Sequence, residues 1–215
     1  MGSISATVFI IDDDKAVRQS LQWLLESVNL NVETYADADA FFHQNLHDLC
    51  GCVICDVRMP GMSGLELQEE LNERDIDIPV IIITGHGDVT MAVRALKAGA
   101  MEFIEKPFNE QQIVESVKKA ISKSELHTHQ QHIQRNIVDR ISSLTQRESE
   151  VLDGVVRGLS SKRIGEQLGI SGKTIEVHRA KMMLKMSAGS VPELVKMVLT
   201  VDDSQLSRET ISVNQ

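Results

Sequence analysis

Two hydrophobic patterns alternate along the first half of the chain. Residues 7–11, 52–55 and 80–83 are short, almost continuously apolar runs, and each ends at a polar group: Asp12 and Asp13, Asp56, and Thr84. Such runs predict strands buried on both faces. Weaker strands are expected at 32–35 and at 103–104, the last just before Lys106-Pro107. Between them, apolar residues recur at helical spacing. Val17, Leu21, Leu24, Leu25 and Val28 form one such set, and Leu65, Leu67 and Leu71 another. Residues 91–98 read as a helix, and Ile113, Val114, Val117 and Ile121 make a last amphipathic one. Five strands alternating with helices predict an α/β, doubly wound, five-stranded parallel sheet over residues 5–123.

That rhythm stops at about 122. Leu126, Ile133, Ile137 and Ile141 keep a partial helical spacing, so 124–142 is expected to be a helical linker. His127, His129 and His132 cluster there without a denser ligand set, which favours a solvated linker over a metal site. Thr145-Gln-Arg-Glu148 is a capping box and marks a helix start. Val151, Leu152, Val155 and Val156 follow on one face, and Gly158 can close that helix. Ser160 or Ser161 caps a second helix ending at Gly169, and a tight turn leads to a third from about Lys173 to Met186. Two short helices joined by a Gly-containing turn are a helix-turn-helix. Pro192 suits the first turn of a fourth. An all-α domain of about four helices is expected over 143–201, with a polar, unstructured tail at 202–215.

Sorting the third helix by angle separates two faces. Ile175, His178, Met182 and Met186 should face the core. Lys173, Glu176, Val177, Ala180 and Leu184 should face outward, with Lys181 and Lys185 flanking them and Arg179 at the edge of the inner stripe. In a recognition helix the outer residues meet base edges, where Glu176 could accept from cytosine and Val177 or Ala180 touch a thymine methyl.

Composition and charge narrow the possibilities. The 215 residues are 42% hydrophobic and 25% charged, ordinary for a globular protein. No apolar run approaches the ~20 residues of a membrane helix. Aromatics at 3% argue against single-strand binding by base stacking. Three cysteines argue against a disulfide scaffold. No signal peptide opens the chain, and Met1-Gly2 lacks the Ser or Thr that myristoylation favours at position 6, here Ala6. A cytoplasmic protein is expected. Residues 1–124 carry 20 acidic and 10 basic side chains, whereas 160–185 carry six basic and two acidic ones. The acidic part should repel nucleic acid, and the basic stripe could approach phosphates.

Ligands of doubly wound sheets bind at the carboxyl ends of the strands. Asp12, Asp13, Asp56, Thr84 and Lys106 should converge there. Three close carboxylates do not all stay ionised without a cation, and Mg²⁺ suits a few carboxylates plus water and phosphate. An Asp in that setting can attack phosphorus, with Lys106 and Thr84 meeting the phosphoryl oxygens. A phosphatase of the haloacid dehalogenase type would need a second Asp at position 58, which is Arg58. The chain has no Gly-x-Gly-x-x-Gly after the first strand. Cys52 and Cys55 have redox spacing but lie inside an apolar strand, where buried core cysteines are expected.

Asp12-Asp13-Asp14, Asp56-Val-Arg-Met-Pro-Gly-Met-Ser-Gly64, Thr84-Gly-His-Gly-Asp88 and Lys106-Pro-Phe108 together resemble the receiver domain of two-component response regulators, in particular the FixJ group within the FixJ/NarL type. The resemblance implies a flavodoxin-like receiver with Asp56 as phosphoacceptor. It implies Mg²⁺ (or Mn²⁺) held by Asp13, Asp56 and the Arg58 backbone carbonyl, with Asp12 acting mainly through water. It implies Thr84 and Phe103 as switch residues and Lys106 as phosphoryl partner. Leu144-Thr-Gln-Arg-Glu148, Gly158-Leu-Ser-Ser-Lys162, Ile170-Ser171 and Thr174-Ile-Glu-Val-His-Arg179 resemble the LuxR-type helix-turn-helix. Lys173, Thr174, Glu176, Val177, Arg179, Ala180, Lys181 and Lys185 are the expected DNA contacts. Ser187-Ala188-Gly189 departs from the family, which often has a basic residue there. A regulator rather than an enzyme is expected, its receiver at most catalysing its own phosphorylation and dephosphorylation. The expected partners are a sensor histidine kinase, double-stranded DNA, a second copy bound through the fourth helix and fifth strand at about 89–105, and RNA polymerase. The alternative is a phosphorelay or phosphohydrolase-like protein whose helical domain binds protein rather than DNA.

Overall fold

The computed structural model describes the backbone of residues 6–44, 46, 49–85 and 87–212, with side chains as far as 201. The chain forms two compact units, one up to His129 and one from Gln130.

The first unit holds β1 (Thr7–Ile11), β2 (Asn31–Tyr35), β3 (Gly51–Asp56), β4 (Val80–Thr84) and β5 (Glu102–Glu105) in one sheet. All pairings are parallel, in the order β2-β1-β3-β4-β5. The central strands β1, β3 and β4 are the continuously apolar ones and are almost entirely buried. Side-chain alternation divides them between two cores. Phe9, Ile11, Val53, Cys55, Val80 and Ile82 face one side, against α2 (Ala38–Phe42), α3 (Gly64–Glu73) and α4 (Val89–Lys97). Val8, Ile10, Cys52, Ile54, Ile81 and Ile83 face the other, against α1 (Lys15–Ser27) and the start of α5 (Glu110–Ser142). The three cysteines are free and buried.

Helix α2 has five residues, too few to show a hydrophobic period, and no stretch of sequence singles it out. Helix α5 differs in its continuity. It is one helix of 33 residues, in which the helical stretch expected at 124–142 continues the preceding amphipathic helix without a break. No Gly or Pro interrupts 110–142, so nothing in the chain stops it. Its residues from Gln130 onward belong to the second unit.

The second unit continues with α6 (Gln146–Val156), α7 (Ser161–Leu168), α8 (Gly172–Met186) and α9 (Val191–Ser212). Both oxygens of the capping box are in place, Thr145 on the Glu148 N–H and Glu148 on the Thr145 N–H. Ser160 caps α7 and Ser171 caps α8. The turn between them is tight because Gly165 lets the chain approach: a Cβ there would lie 2.6 Å from the Ile170 carbonyl oxygen. One core joins Ile137, Val151, Leu152, Ile164, Ile175, Met182 and Met186. The α9 backbone stays helical to Ser212, past position 202 where the sequence pattern suggests a loose tail. Gly and Pro are absent after Pro192, which permits that continuation.

Candidate functional site

Parallel register brings the carboxyl ends of β1, β3 and β4 level, because Ile11 lies opposite Cys55, and Asp56 opposite Ile83. The residue after Ile11 is Asp12, and the residue after Glu105 is Lys106, whose N–H donates to the Thr84 carbonyl at 2.8 Å. The result is a compact cluster. Lys106 Nζ donates to Asp12 Oδ2 and to Asp56 Oδ1, both at 2.7 Å. Asp56 Oδ2 accepts the Arg58 N–H at 2.7 Å, and Asp12 Oδ1 accepts the Asp14 N–H at 2.8 Å. The Arg18 guanidinium donates to the Asp12 carbonyl. Gly64 is required beside this site: a Cβ there would lie 2.3 Å from the Asp56 carbonyl oxygen.

Asp12, Asp56 and Thr84 are buried, and Lys106 is half-buried. Burial pushes the Asp12 carboxyl above the usual carboxylate range despite its hydrogen bonds from Lys106 and Asp14, and nearby Asp56 adds to the rise. Burial pulls the Lys106 ammonium down, but hydrogen bonds to Asp12 and Asp56 outweigh it, so its pKa is raised. One ammonium therefore serves two carboxylates, and the cluster carries a net negative charge.

Asp13 differs from Asp12 and Asp56 in its burial. It is exposed, and among the described residues no three acidic, His or Cys side chains stand together as a ready metal cage. Asp12 follows the strand inward, whereas Asp13 enters the turn before α1. The donor set still fits a hard cation that keeps several waters and takes one or two carboxylates. Two buried carboxylates, an excess negative charge and an exposed Asp13 at the rim match that requirement. Phe103 is partly buried next to Thr84: a Cβ on Gly87 would meet the Phe103 ring at 3.0 Å and the Thr84 methyl at 3.2 Å.

In the second unit, α8 divides as its spacing predicts. Ile175, Met182 and Met186 are buried. Lys173, Thr174, Glu176, Val177, Ala180, Lys181 and Leu184 are exposed, while His178 and Arg179 are half-buried. Lys185 is exposed as well, and two of the outward residues also bond within the domain. Thr174 Oγ1 is 2.8 Å from Ser171 Oγ and so joins the N-cap. Lys185 reaches along the surface to buried Glu148, its Nζ 2.6 Å from Oε2. Sequence reasoning counted Lys162 and Arg163 in the basic stripe without assigning them a contact. Both are exposed in the first turn of α7, and Lys162 Cα would be 3.7 Å from a Cβ on Gly172 at the start of α8. Two basic residues directly after a helix cap were the available signal.

An acid–lysine cluster at the carboxyl edge of a doubly wound sheet is followed in the chain by a helix-turn-helix. Residues 8–118 match the response regulator receiver domain, and 142–198 match the luxR family of bacterial regulatory proteins. The chain belongs to the two-component response regulators that carry a LuxR-type DNA-binding domain and regulate transcription. It is 48% identical over 195 residues to the transcriptional regulatory protein FixJ of Azorhizobium caulinodans, covering 91% of this chain and 92% of that one. It is 38% identical over 204 residues to the response regulator protein TodT of Pseudomonas putida, covering 95% and 90%. Among solved structures, the response regulator StyR superposes with a TM-score of 0.83 at 42% identity, covering 90% of this chain and 98% of that chain. Full-length FixJ from B. japonicum gives a TM-score of 0.56 at 40% identity, covering 93% and 98%. No helix among the described residues is long and apolar enough to cross a membrane.

Proposed function

We propose that Asp56 is the phosphoacceptor and that a sensor histidine kinase supplies the phosphoryl group. The observation that carries this reading is the Lys106 ammonium held 2.7 Å from both Asp12 and Asp56 at the strand ends. An Asp56 carboxylate oxygen attacks phosphorus, the P–N bond of the kinase's phosphohistidine breaks, and the imidazole leaves with the bonding pair. Mg²⁺ held by Asp13, Asp56 and the Arg58 carbonyl, with Asp12 acting through water, would neutralise charge on the phosphoryl oxygens. Lys106 transfers a hydrogen bond from Asp56 to a phosphoryl oxygen, and the Thr84 hydroxyl donates to another. The receiver thus also promotes its own phosphorylation and dephosphorylation.

Phosphorylation adds roughly −1.5 to −2 charge at one point. Drawing Thr84 toward it empties space beside the Phe103 ring, which repacks inward. That change reaches α4, where Val89, Val93 and Leu96 are 81%, 45% and 51% exposed at i, i+4 and i+7. An apolar stripe of this kind supports pairing with a second copy through α4 and β5. A symmetric dimer would set two α8 helices about one DNA turn apart on a rough inverted repeat. Lys173, Glu176, Val177 and Ala180 would read bases, and Arg179 and Lys181 would reach phosphates.

The test is acyl phosphate labelling of wild type and Asp56→Asn, followed by titration of duplex binding against salt. Labelling confined to wild type and a steep salt slope, near −0.9 per neutralised phosphate, are expected. Equal labelling of both proteins removes Asp56 from its role. No duplex binding in either state favours a helical domain that binds protein.

A further inference from the structure

The end of α5 is bonded to the end of α8, and nothing in the chemistry above uses that contact. Arg140, in the last turn of α5, donates from Nη1 to the carbonyl of Met186 at 3.0 Å. Met186 is the last residue of α8. The same two helix ends are tied a second time, because Lys185 Nζ donates to the Ser143 carbonyl at 3.0 Å as well as to Glu148. Ile137 is buried in the same core as Met182 and Met186, with Ile141 packed against it.

The last carbonyls of a helix lack partners within it. In α8 those of Leu184 and Met183 accept the N–H groups of Ser187 and Ala188. Arg140 supplies the partner for Met186 and places positive charge at the negative end of the helix dipole. A guanidinium fixed in this way restrains where the C-terminal end of α8 can sit, and so the tilt at which its N-terminal outer face meets DNA. We infer that Arg140 is a positioning residue for sequence recognition: it acts on duplex DNA only through α8, by clamping the far end of the helix that reads it. Residues 130–143 are thus a working part of the DNA-binding unit, upstream of the 142–198 segment that the luxR family covers. The inference rests on α8 being the recognition helix.

The test uses the full-length protein, a duplex enriched from a random pool by the wild type, and an unrelated duplex of equal length. Arg140→Met keeps the aliphatic stem and removes the donors. It should weaken binding to the enriched duplex about tenfold, a typical scale for a lost charge-assisted hydrogen bond, and change the unrelated duplex less than about twofold. Its salt slope should equal that of wild type, because Arg140 neutralises no phosphate. Arg140→Lys, which can still donate to the carbonyl, should recover most of the loss. Equal losses on both duplexes with a shallower slope would make Arg140 a phosphate contact and overturn the inference. So would unchanged discrimination in Arg140→Met. If Arg140→Met loses its folded second unit in a thermal melt, Arg140→Lys decides: wild-type discrimination supports the clamp, and lost discrimination with intact melting overturns it. Glu176→Ala and Val177→Ala are read in parallel. If neither changes the enriched-to-unrelated ratio, α8 is not the reading helix, and that failure is visible whatever Arg140 does.

Discussion

Each unit holds a lysine against a buried carboxylate, and the two contacts have opposite electrostatic outcomes. In the first unit Lys106 is shared between Asp12 and Asp56, and Asp12 remains harder to ionise than in water because burial outweighs its hydrogen bonds. In the second, Lys185 faces a single carboxylate, that of Glu148, and the Thr145 N–H joins it on the same group. The Lys185 hydrogen bond and that N–H hold Glu148 down to about 2. Two acids to one base leaves a deficit of positive charge that a bound cation can fill. One acid to one base, with the remaining donor filled by a helix cap, is a closed structural contact. The ratio of partners, rather than the presence of an ion pair, separates a site from a fastener.

Breaking the comparison at its functional end gives the largest effect. Asp56→Asn should reduce acyl phosphate labelling to background while the thermal midpoint of the first unit stays close to wild type. Next comes Lys185→Met, which strands the Glu148 carboxylate in a buried setting. It should lower the melting midpoint of the second unit by about 5 °C or more, leaving labelling of the receiver unchanged.

Acid titration sharpens the contrast, because the two carboxylates have shifts of opposite sign. Glu148 is depressed from its usual 4.5 to about 2, so its stabilisation is complete above 4.5 and disappears as pH falls toward 2. Glu148→Gln should therefore be less stable than wild type at neutral pH, with the gap closing over that interval. Asp12 is raised above 3.8, so its ionised form is a cost to the folded state at neutral pH. Asp12→Asn should be more stable than wild type there, and its advantage should fade as pH falls through the raised value. The smallest effect is expected at Ser187, which closes α8 with φ 53°. Ser187→Gly relieves a left-handed residue and should add about 0.5–1 kcal/mol in denaturant unfolding.

The strand ends were legible because continuous apolar runs stop abruptly at acids, and the sheet's parallel register then fixes where those acids meet. Capping residues located α6 and α7 for a similar reason: Thr145 and Ser160 state their local role in three or four residues. The partner of Lys185 was not legible, since Glu148 lies 37 positions away and helical angle alone sends that lysine outward. The strand end places Asp12 and Asp13 side by side in sequence, but does not tell that Asp12 is buried while Asp13 stays exposed. The length of α5 was hidden by its polar middle, where the hydrophobic period fades although nothing breaks the helix.

The cysteines offer a practical handle. All three thiols are in the first unit and beneath its surface, and burial raises Cys52 to about 12 and Cys55 well above its usual value. A thiol-reactive dye therefore modifies the native protein only when the sheet opens, and its rate becomes a clock for the breathing of one half of the molecule while the other half keeps silent.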